Sequence, residues 1–488
     1  MGIDLGTTAV KVGLFDAADG RELAVERVEY TPASPRPGWV ELDADIYRGA
    51  TVEATRRALA RADGARVIGI GLSSQGQTFV PLGEDLRPLR PAIVWLDTRA
   101  EEQAAWLREH LDPDEFRLRT GADAPNAIAS APKMLWIREH EPQVWARTRY
   151  LVMLPDWIGL MLTGRRRLDV HNAGSTHLVD HRARDWWDEA LAAVGVPREW
   201  LSPIGWPAEP VGEVTAKAAR TLGLPAGVPV ALGSNDQLNG AVGVGNVRPG
   251  IASGTVGTAM AVITSYEMPE GQYASAHPVR GLAYKLCFAK CTGMLLTWLR
   301  DTLAPGESYE ALLAEAVEVA PGCEGLTCLP HFSGTATPTF RSDVRGGVVG
   351  LTLGHGRGHL ERAVAEAVCF TARDALELTA REAQAPGELR MLGGATRSEL
   401  WMQMMADVVG LTLQVPRCGE APVLGAAIFA GVACGRFGSM VEGADTCYRP
   451  GRTFMPDQAR AQIYDQAYRA YRDAMERLYP GALGLNQG

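Results

Sequence analysis

The chain opens on an alternating pattern. Val10, Val12 and Leu14 interleave with Ala9, Lys11 and Gly13, the period of two that sends successive side chains to opposite faces of a strand. Ile3-Asp4-Leu5 comes just before, and the intervening Gly6-Thr7-Thr8 is permissive enough to turn the backbone, so this segment predicts a β-hairpin. Farther on, strand and helix spacings alternate. Ala65 to Leu72 and Pro91 to Trp95 read as buried strands, while Asp43 to Ala62 and Arg99 to His110 carry helical spacing with charged outer positions, which predicts a mixed α/β architecture. Val228 to Leu232 is another apolar run; it meets Gly233-Ser234-Asn235-Asp236, and Gln237 to Val244 reads as a short glycine-rich helix.

The pattern then begins again. Gly245 to Gly250 has the Asn, Pro and Gly usage of a connector. Ala252 to Thr264 repeats the plan of the N-terminus, with a Gly-Thr turn expected at Gly254-Thr255 ahead of the alternating strand Ala259 to Ile263. We read an internal structural repeat and two domains, residues 1–245 and 246–488. A third turn, Leu392-Gly393-Gly394-Ala395, separates the strand-like Leu389 to Leu392 from the helical Ser398 to Val409, and Asp457 to Tyr479 predicts a closing helix.

Composition narrows the function. A chain of 488 residues exceeds what one hydrophobic core usually supports, and 46% hydrophobic with 22% charged residues describes a globular protein. The net charge of -9 gives no basic footprint for nucleic acid or an anionic membrane, so bound phosphates must be held locally. Eight cysteines are too few for a disulfide scaffold, and with no leader-like opening segment a reducing cytoplasm is expected. The longest apolar run, Gly425 to Cys434, falls far short of the ~20 residues that cross a bilayer as a helix.

Three glycine turns, each at a strand end, carry the candidate chemistry. Consecutive N–H groups in a tight turn form a concave anion site, and threonine hydroxyls add donors. Lys11, on the strand leaving the first turn, either points a compact cation at phosphate or snorkels to solvent. Asp4 stands in an apolar run, so it either helps hold a hydrated magnesium ion that bridges phosphates or caps N–H groups of the turn. Asp236 lies where a strand yields to a helix, which suits a catalytic carboxylate, although position alone favours a helix N-cap; a helix N-terminus is expected to keep it ionised at neutral pH. His171, His177 and His181 with Asp169 lack the glutamate usual between zinc-binding histidines. Cys287 with Cys291 and Cys323 with Cys328 form no paired metal motif and read as core thiols. Neither a Gly-x-Ser-x-Gly elbow nor a P-loop occurs, which disfavours a hydrolase or P-loop nucleotide enzyme.

At this point the pattern resembles the FGGY carbohydrate kinases, within the superfamily of actin, hexokinase and Hsp70. Ile3 to Asp16 resembles the first phosphate motif, Ser253 to Thr258 the second, and Leu392 to Asp407 the adenosine motif, with Gly233 to Gly243 between them. Lys133 to His140 is similar to one family signature, although Ile128 departs from it, and Gly346 to Glu366 fits another fully. In Leu329 to Pro338, Thr335-Ala336 replace the Glu-Arg common in many members. The resemblance implies two ribonuclease H-like α/β domains with a cleft between them, ATP and Mg²⁺ as cofactors, and a small-molecule sugar or polyol as partner. A homodimer is compatible with it.

By position, the resemblance makes Asp236 the base that takes the proton of the sugar hydroxyl, with Gln237 beside it. Gly76 and Gln77 fall where members contact sugar. Thr7, Thr8 and Lys11 match the first phosphate loop, Gly254 and Thr255 the second, Gly393, Gly394 and Ser398 the adenosine site, and Asp4 the magnesium position. Trp95 to Arg99 resembles the Trp-x-Asp-x-Arg stretch of xylulokinase-like members. A ketopentose such as D-xylulose is therefore expected, with glycerol or another short polyol, suggested by Asp236-Gln237, as the alternative. A sugar-independent ATPase switch is the reading from another class, since fold does not fix function.

Overall fold

The computed structural model describes residues 1–257, 259–269 and 274–484. They gather into two units. The first comprises Met1–Gly245, Pro269–Arg280 and Glu420–Tyr448; the second comprises Asn246–Met268, Gly281–Gly419 and Arg449–Gly488. The main segment of the first unit thus ends at Gly245, and two later segments join it.

In the first unit the opening alternation becomes β1 (Gly2–Leu5) and β2 (Ala9–Phe15), an antiparallel hairpin continued by β3 (Glu22–Glu29). The sheet is completed by β4 (Ile70–Ser74), β5 (Pro210–Glu213) and β6 (Pro229–Asn235), in the order β5-β6-β4-β1-β2-β3. β4 runs parallel to β1, and β6 parallel to β4. Ile3, Leu5, Val10 and Val12 are fully buried, as expected of a sheet covered on its faces.

The second unit repeats this plan. β7 (Ile251–Val256), β8 (Met260–Glu267) and β9 (Leu282–Ala289) form the antiparallel part; β10 (Glu388–Leu392) lies parallel to β7, and β11 (Thr412–Pro416) parallel to β10. With β12 (Pro450–Phe454) the second unit's own six strands of this seven-stranded sheet follow the order β9-β8-β7-β10-β11-β12. Each sheet therefore has a three-stranded antiparallel part, two strands parallel to its first, and an antiparallel edge strand. The internal repeat is visible in topology.

Several boundaries move. Of Ala65 to Leu72 only Ile70 onward is strand, and Pro91 to Trp95 contracts to Ala92–Ile93. β6 runs on through Gly233-Ser234-Asn235, because parallel pairing sets Ser234 and Asn235 opposite Ser73 and Ser74 of β4 and the ladder overrides the local turn signal. The helices used below are α1 (Ala44–Arg61), α2 (Ser130–His140), α3 (Val170–Gly174), α4 (Asp236–Gly243), α5 (Glu399–Val409) and α6 (Ala421–Ala433).

The apolar run noted in the sequence is α6, which belongs to the first unit. Two glycines allow its backbone to approach closely. A Cβ on Gly425 would lie 1.9 Å from the carbonyl oxygen of Asn239 on α4, and one on Gly71 of β4 would lie 1.8 Å from that of Ala426. No residue with a side chain fits there without moving backbone. Among the described residues, no helix is long and apolar enough to cross a membrane.

Candidate functional site

Three segments flagged in the sequence leave the C-terminal ends of neighbouring parallel strands. Gly6-Thr7-Thr8 follows β1, Gln75-Gly76-Gln77 follows β4, and Asp236 follows β6. Strand ends of this kind are where α/β sheets collect ligands. Register aligns the chemistry further, since Ser73 faces Asp4 on one side and Ser234 on the other.

Asp4 is buried, pairs across the hairpin with Lys11, and accepts a hydrogen bond from the Ser73 hydroxyl at 2.7 Å. Burial raises its pKa, while the charge of Lys11 and the Ser73 hydrogen bond pull it down. It caps no N–H of the turn. Lys11 is not directed simply into solvent: its Nζ pairs with Glu420 at 2.5 Å, and both side chains stay partly exposed. Glu420 was not legible beforehand, because it adjoins α6, far along the chain.

The first turn fits an anion. Gly6 N–H closes it on the Ala9 carbonyl at 3.0 Å, and no described residue accepts the Thr7 and Thr8 amides. Thr8 is exposed. The Thr7 hydroxyl, by contrast, is engaged: it donates to Gln75 Oε1 at 3.0 Å and accepts from Trp95 Nε1–H at 2.9 Å. A hydroxyl has one proton to give, so in this arrangement Thr7 offers a phosphate its amide rather than its hydroxyl. That corrects the expectation of an added hydroxyl donor for Thr7 alone.

Gly76 and Gln77 are half-buried. Gln77 adopts φ 56°, and this bend is fixed from both sides. Its N–H donates to Ser175 Oγ at 3.0 Å, and its carbonyl accepts from Ser130 Oγ at 2.9 Å. Ser175 adjoins α3, the segment that carries His171. His171 is no metal ligand here: its ring nitrogens meet the Ala276 carbonyl and the Ser234 hydroxyl, each at 2.9 Å. Among the described residues no group of three or more His, Cys, Asp or Glu is arranged to hold a metal ion. The four flagged cysteines are buried thiols.

Asp236 is half-buried as the first residue of α4, and the capping duty falls to Asn235, whose side chain accepts from Leu238 N–H. Asp236 is therefore not the N-cap of α4. It accepts from the Gln237 N–H at 2.8 Å; Gln237 itself is half-buried beside it. Burial, then the charge of Asp4, push the Asp236 carboxyl up to about 7. The helix N-terminus does not hold it low, contrary to the expectation, because desolvation outweighs it.

The second unit corrects one assignment. Gly254 and Thr255 lie inside β7, paired with Val262 and Ala261 on one side and with Met391 and Leu392 on the other. They form no turn. The Gly-Thr pair occurs twice in Ser253 to Thr258, and β7 ends before the second copy: Gly257 N–H donates to the Ala259 carbonyl at 3.0 Å, two residues on, where Gly6 in the first unit reaches Ala9, three residues on. Thr258 lies outside the described residues. Gly393 leaves β10 at φ 89°, close enough to β7 that a Cβ there would meet the Val256 carbonyl oxygen at 2.4 Å. Gly393 and Gly394 are exposed, and Ser398 caps α5 by accepting from Trp401 N–H. The glycine turn thus follows a parallel strand end beside the end of β7.

Comparison with known proteins agrees with this architecture. Residues 1–243 match the N-terminal domain of the FGGY family of carbohydrate kinases and residues 251–434 its C-terminal domain. The chain is 31% identical to a xylulose kinase of Escherichia coli (strain K12), covering 99% of each sequence. It is 32% identical to a glycerol kinase of Leptothrix cholodnii, covering 93% of this chain and 94% of that one. Among solved structures, a xylulose kinase from Rhodospirillum rubrum superposes with a TM-score of 0.90 at 31% identity, covering 98% of both chains. The chain belongs to the FGGY family of carbohydrate kinases. It is an ATP-dependent sugar kinase of the two-domain actin, hexokinase and Hsp70 type, and its cofactors are ATP and Mg²⁺.

The residues present suit that ion. Mg²⁺ is usually held by one or two carboxylates together with substrate phosphates rather than by a cage of protein ligands. Asp4 supplies one such carboxylate, buried beside the first turn.

Proposed function

We propose that the chain phosphorylates a hydroxyl of a ketopentose such as D-xylulose, with Asp236 as the general base. The observation that carries this reading is the Asp236 carboxylate at the end of β6, relieved of capping by Asn235 and raised to about 7. A base whose pKa lies near the working pH accepts a hydroxyl proton most effectively. Gln237 and the fixed Gly76-Gln77 bend are the sugar contacts. The Thr7 and Thr8 amides and Lys11 receive phosphate in the first unit. In the second unit Gly257 stands in the phosphate turn in place of Gly254 and Thr255, and Gly393, Gly394 and Ser398 serve the adenosine.

Asp4 is the residue that would hold Mg²⁺. The ion would supply positive charge against the negative charge that develops on the phosphates during transfer. What remains for the protein is positioning and a proton acceptor, which these side chains supply.

The sugar is argued from similarity and from Trp95 to Arg99. The relatives named xylulose kinase match over nearly the whole chain, and Trp95 meets Thr7 at the first turn. A short polyol is the second reading, favoured by Asp236-Gln237 and by the glycerol kinase relative. ADP release measured over ketoses, aldoses and polyols tests both. Efficient turnover of D-xylulose is expected, and turnover of a polyol alone overturns the first reading. In parallel, Asp236→Ala should keep nucleotide binding and lose sugar-dependent ADP release, whereas unchanged release would indicate a sugar-independent ATPase.

A further inference from the structure

Lys133 lies on α2, away from the strand ends, and its side chain is fully buried. Its Nζ donates to three backbone carbonyls: Ile128 at 2.8 Å, Trp95 at 3.1 Å and Val94 at 3.2 Å. Three acceptors around one nitrogen call for three N–H donors, which an ammonium has and a neutral amine lacks. Burial draws the ammonium pKa down to about 7, and the charge of Asp97 works against that shift. Asp97 itself is engaged by Arg99 through both oxygens, at 2.9 and 2.7 Å. The lysine is therefore held chiefly by backbone oxygens rather than by a direct ion pair.

A buried methionine or leucine would fill the same volume without desolvating a charge. What a lysine adds is a fixed course for two loops at once, the one through Val94-Trp95 and the one through Ile128. Trp95 is pinned further, since its N–H donates to Thr78 Oγ1 at 3.0 Å. Both polar groups of its backbone are then committed, and its indole N–H reaches Thr7 Oγ1 at 2.9 Å, from which the Thr7 proton passes on to Gln75. Lys133 and Thr7 thus stand at the two ends of a continuous set of hydrogen bonds through Trp95.

We propose that Lys133 is a positioning residue for phosphoryl transfer: it fixes Trp95 so that the indole N–H holds the Thr7 hydroxyl, leaving the Thr7 and Thr8 amides turned toward phosphate. The idea rests on the reading of the first turn as a phosphate site. It gives the buried lysine a role in the reaction without contact with either substrate.

A double-mutant cycle on the full-length protein tests it, with Trp95→Phe, which keeps the ring and drops the N–H, and Lys133→Met, which keeps the length and drops the charge. The readout is kcat/KM for ATP at saturating sugar. Each single change is expected to lower it about tenfold, the order expected for one hydrogen bond to a charged group, and the double variant to be no worse than the poorer single. Losses that multiply overturn the proposal. If Lys133→Met does not fold, Lys133→Arg serves in the same cycle, because a planar guanidinium cannot aim at three carbonyls around one point. Independently of any sugar, the indole N–H resonance of Trp95 in ¹⁵N-labelled protein, assigned by its loss in Trp95→Phe, is expected to shift and exchange faster in the folded Lys133 variant. An unmoved resonance overturns the proposal too. Absence of turnover across the sugar panel, with the indole shift observed, counts against the substrate reading and not against Lys133.

Discussion

The charge of Asp4 reaches Asp236 and, after burial, is the largest influence raising that carboxyl to about 7. An acid on β1 therefore helps to set the protonation of one at the end of β6, with β4 between the two strands. As a base, Asp236 must be ionised, so kcat/KM for the sugar is expected to rise with pH through about 7 and then level off. Asp4→Asn removes one charge, and the rising limb should move to lower pH. Paired pH–rate profiles of the two proteins decide it, and a limb that stays in place would remove Asp4 from the account.

The same shift bears on stability. The folded chain keeps a proton on Asp236 that an unfolded carboxyl, with a pKa of about 3.9, has already released. Between those values the contribution of this group to stability falls as pH rises, and above about 7 the loss is complete. Asp236→Asn abolishes the loss. Calorimetry without nucleotide at pH 5 and pH 8 should show the variant gaining over wild type at the higher pH, by about 2–4 °C for each kcal/mol recovered in a domain of this size. Its sugar-dependent activity should fall by at least ~100-fold. Equal Tm differences at both pH values would speak against a raised pKa.

Lys11 is paired with Glu420, and on the proposed reading a phosphate at the first turn would compete for it. Glu420→Gln ends that competition at a partly exposed pair, for which about threefold tighter ATP binding is the expected scale. The gain should shrink as salt is added. Titration of nucleotide at low and high ionic strength measures it. Weaker binding in the variant would mean that Glu420 orients Lys11 rather than competing for it.

Gly425 allows α6 to meet α4 at backbone distance. Gly425→Ala puts a methyl group where the Asn239 carbonyl stands, and relieving the clash requires a backbone shift costing about 1–3 kcal/mol or more. A lower midpoint in urea with an unchanged slope is the expected result. Because α6 begins next to Glu420, the ATP affinity should change with it, whereas a variant as stable as wild type would show that the helices separate freely.

Much of the site was legible because its signals are local. Gly6-Thr7-Thr8, Gly393-Gly394 and Asp236 all sit where a strand pattern stops, and the sequence marks each stop with glycine or a polar run. Gly254-Thr255 was misread because the Gly-Thr pair repeats within Ser253 to Thr258, and only the ladder with β8 and β10 shows which copy is still strand. Gln75, Ser73, Glu420 and Lys133 carried no local signal of their contacts. A serine in a strand or a lysine in a helix looks ordinary until its partner is known.

The opening hairpin, the duplicated plan and the family motifs follow from periodicity and short-range turn chemistry, and the chain alone determined them. Tertiary structure decided the rest: that Asn235 and not Asp236 caps α4, that the carboxyl of Asp236 lies near neutral pH, and that Lys11 meets Glu420 from far along the chain. The reason is physical. Backbone propensity acts between neighbours in sequence, whereas desolvation and charge act between neighbours in space, and only folding determines which residues those are.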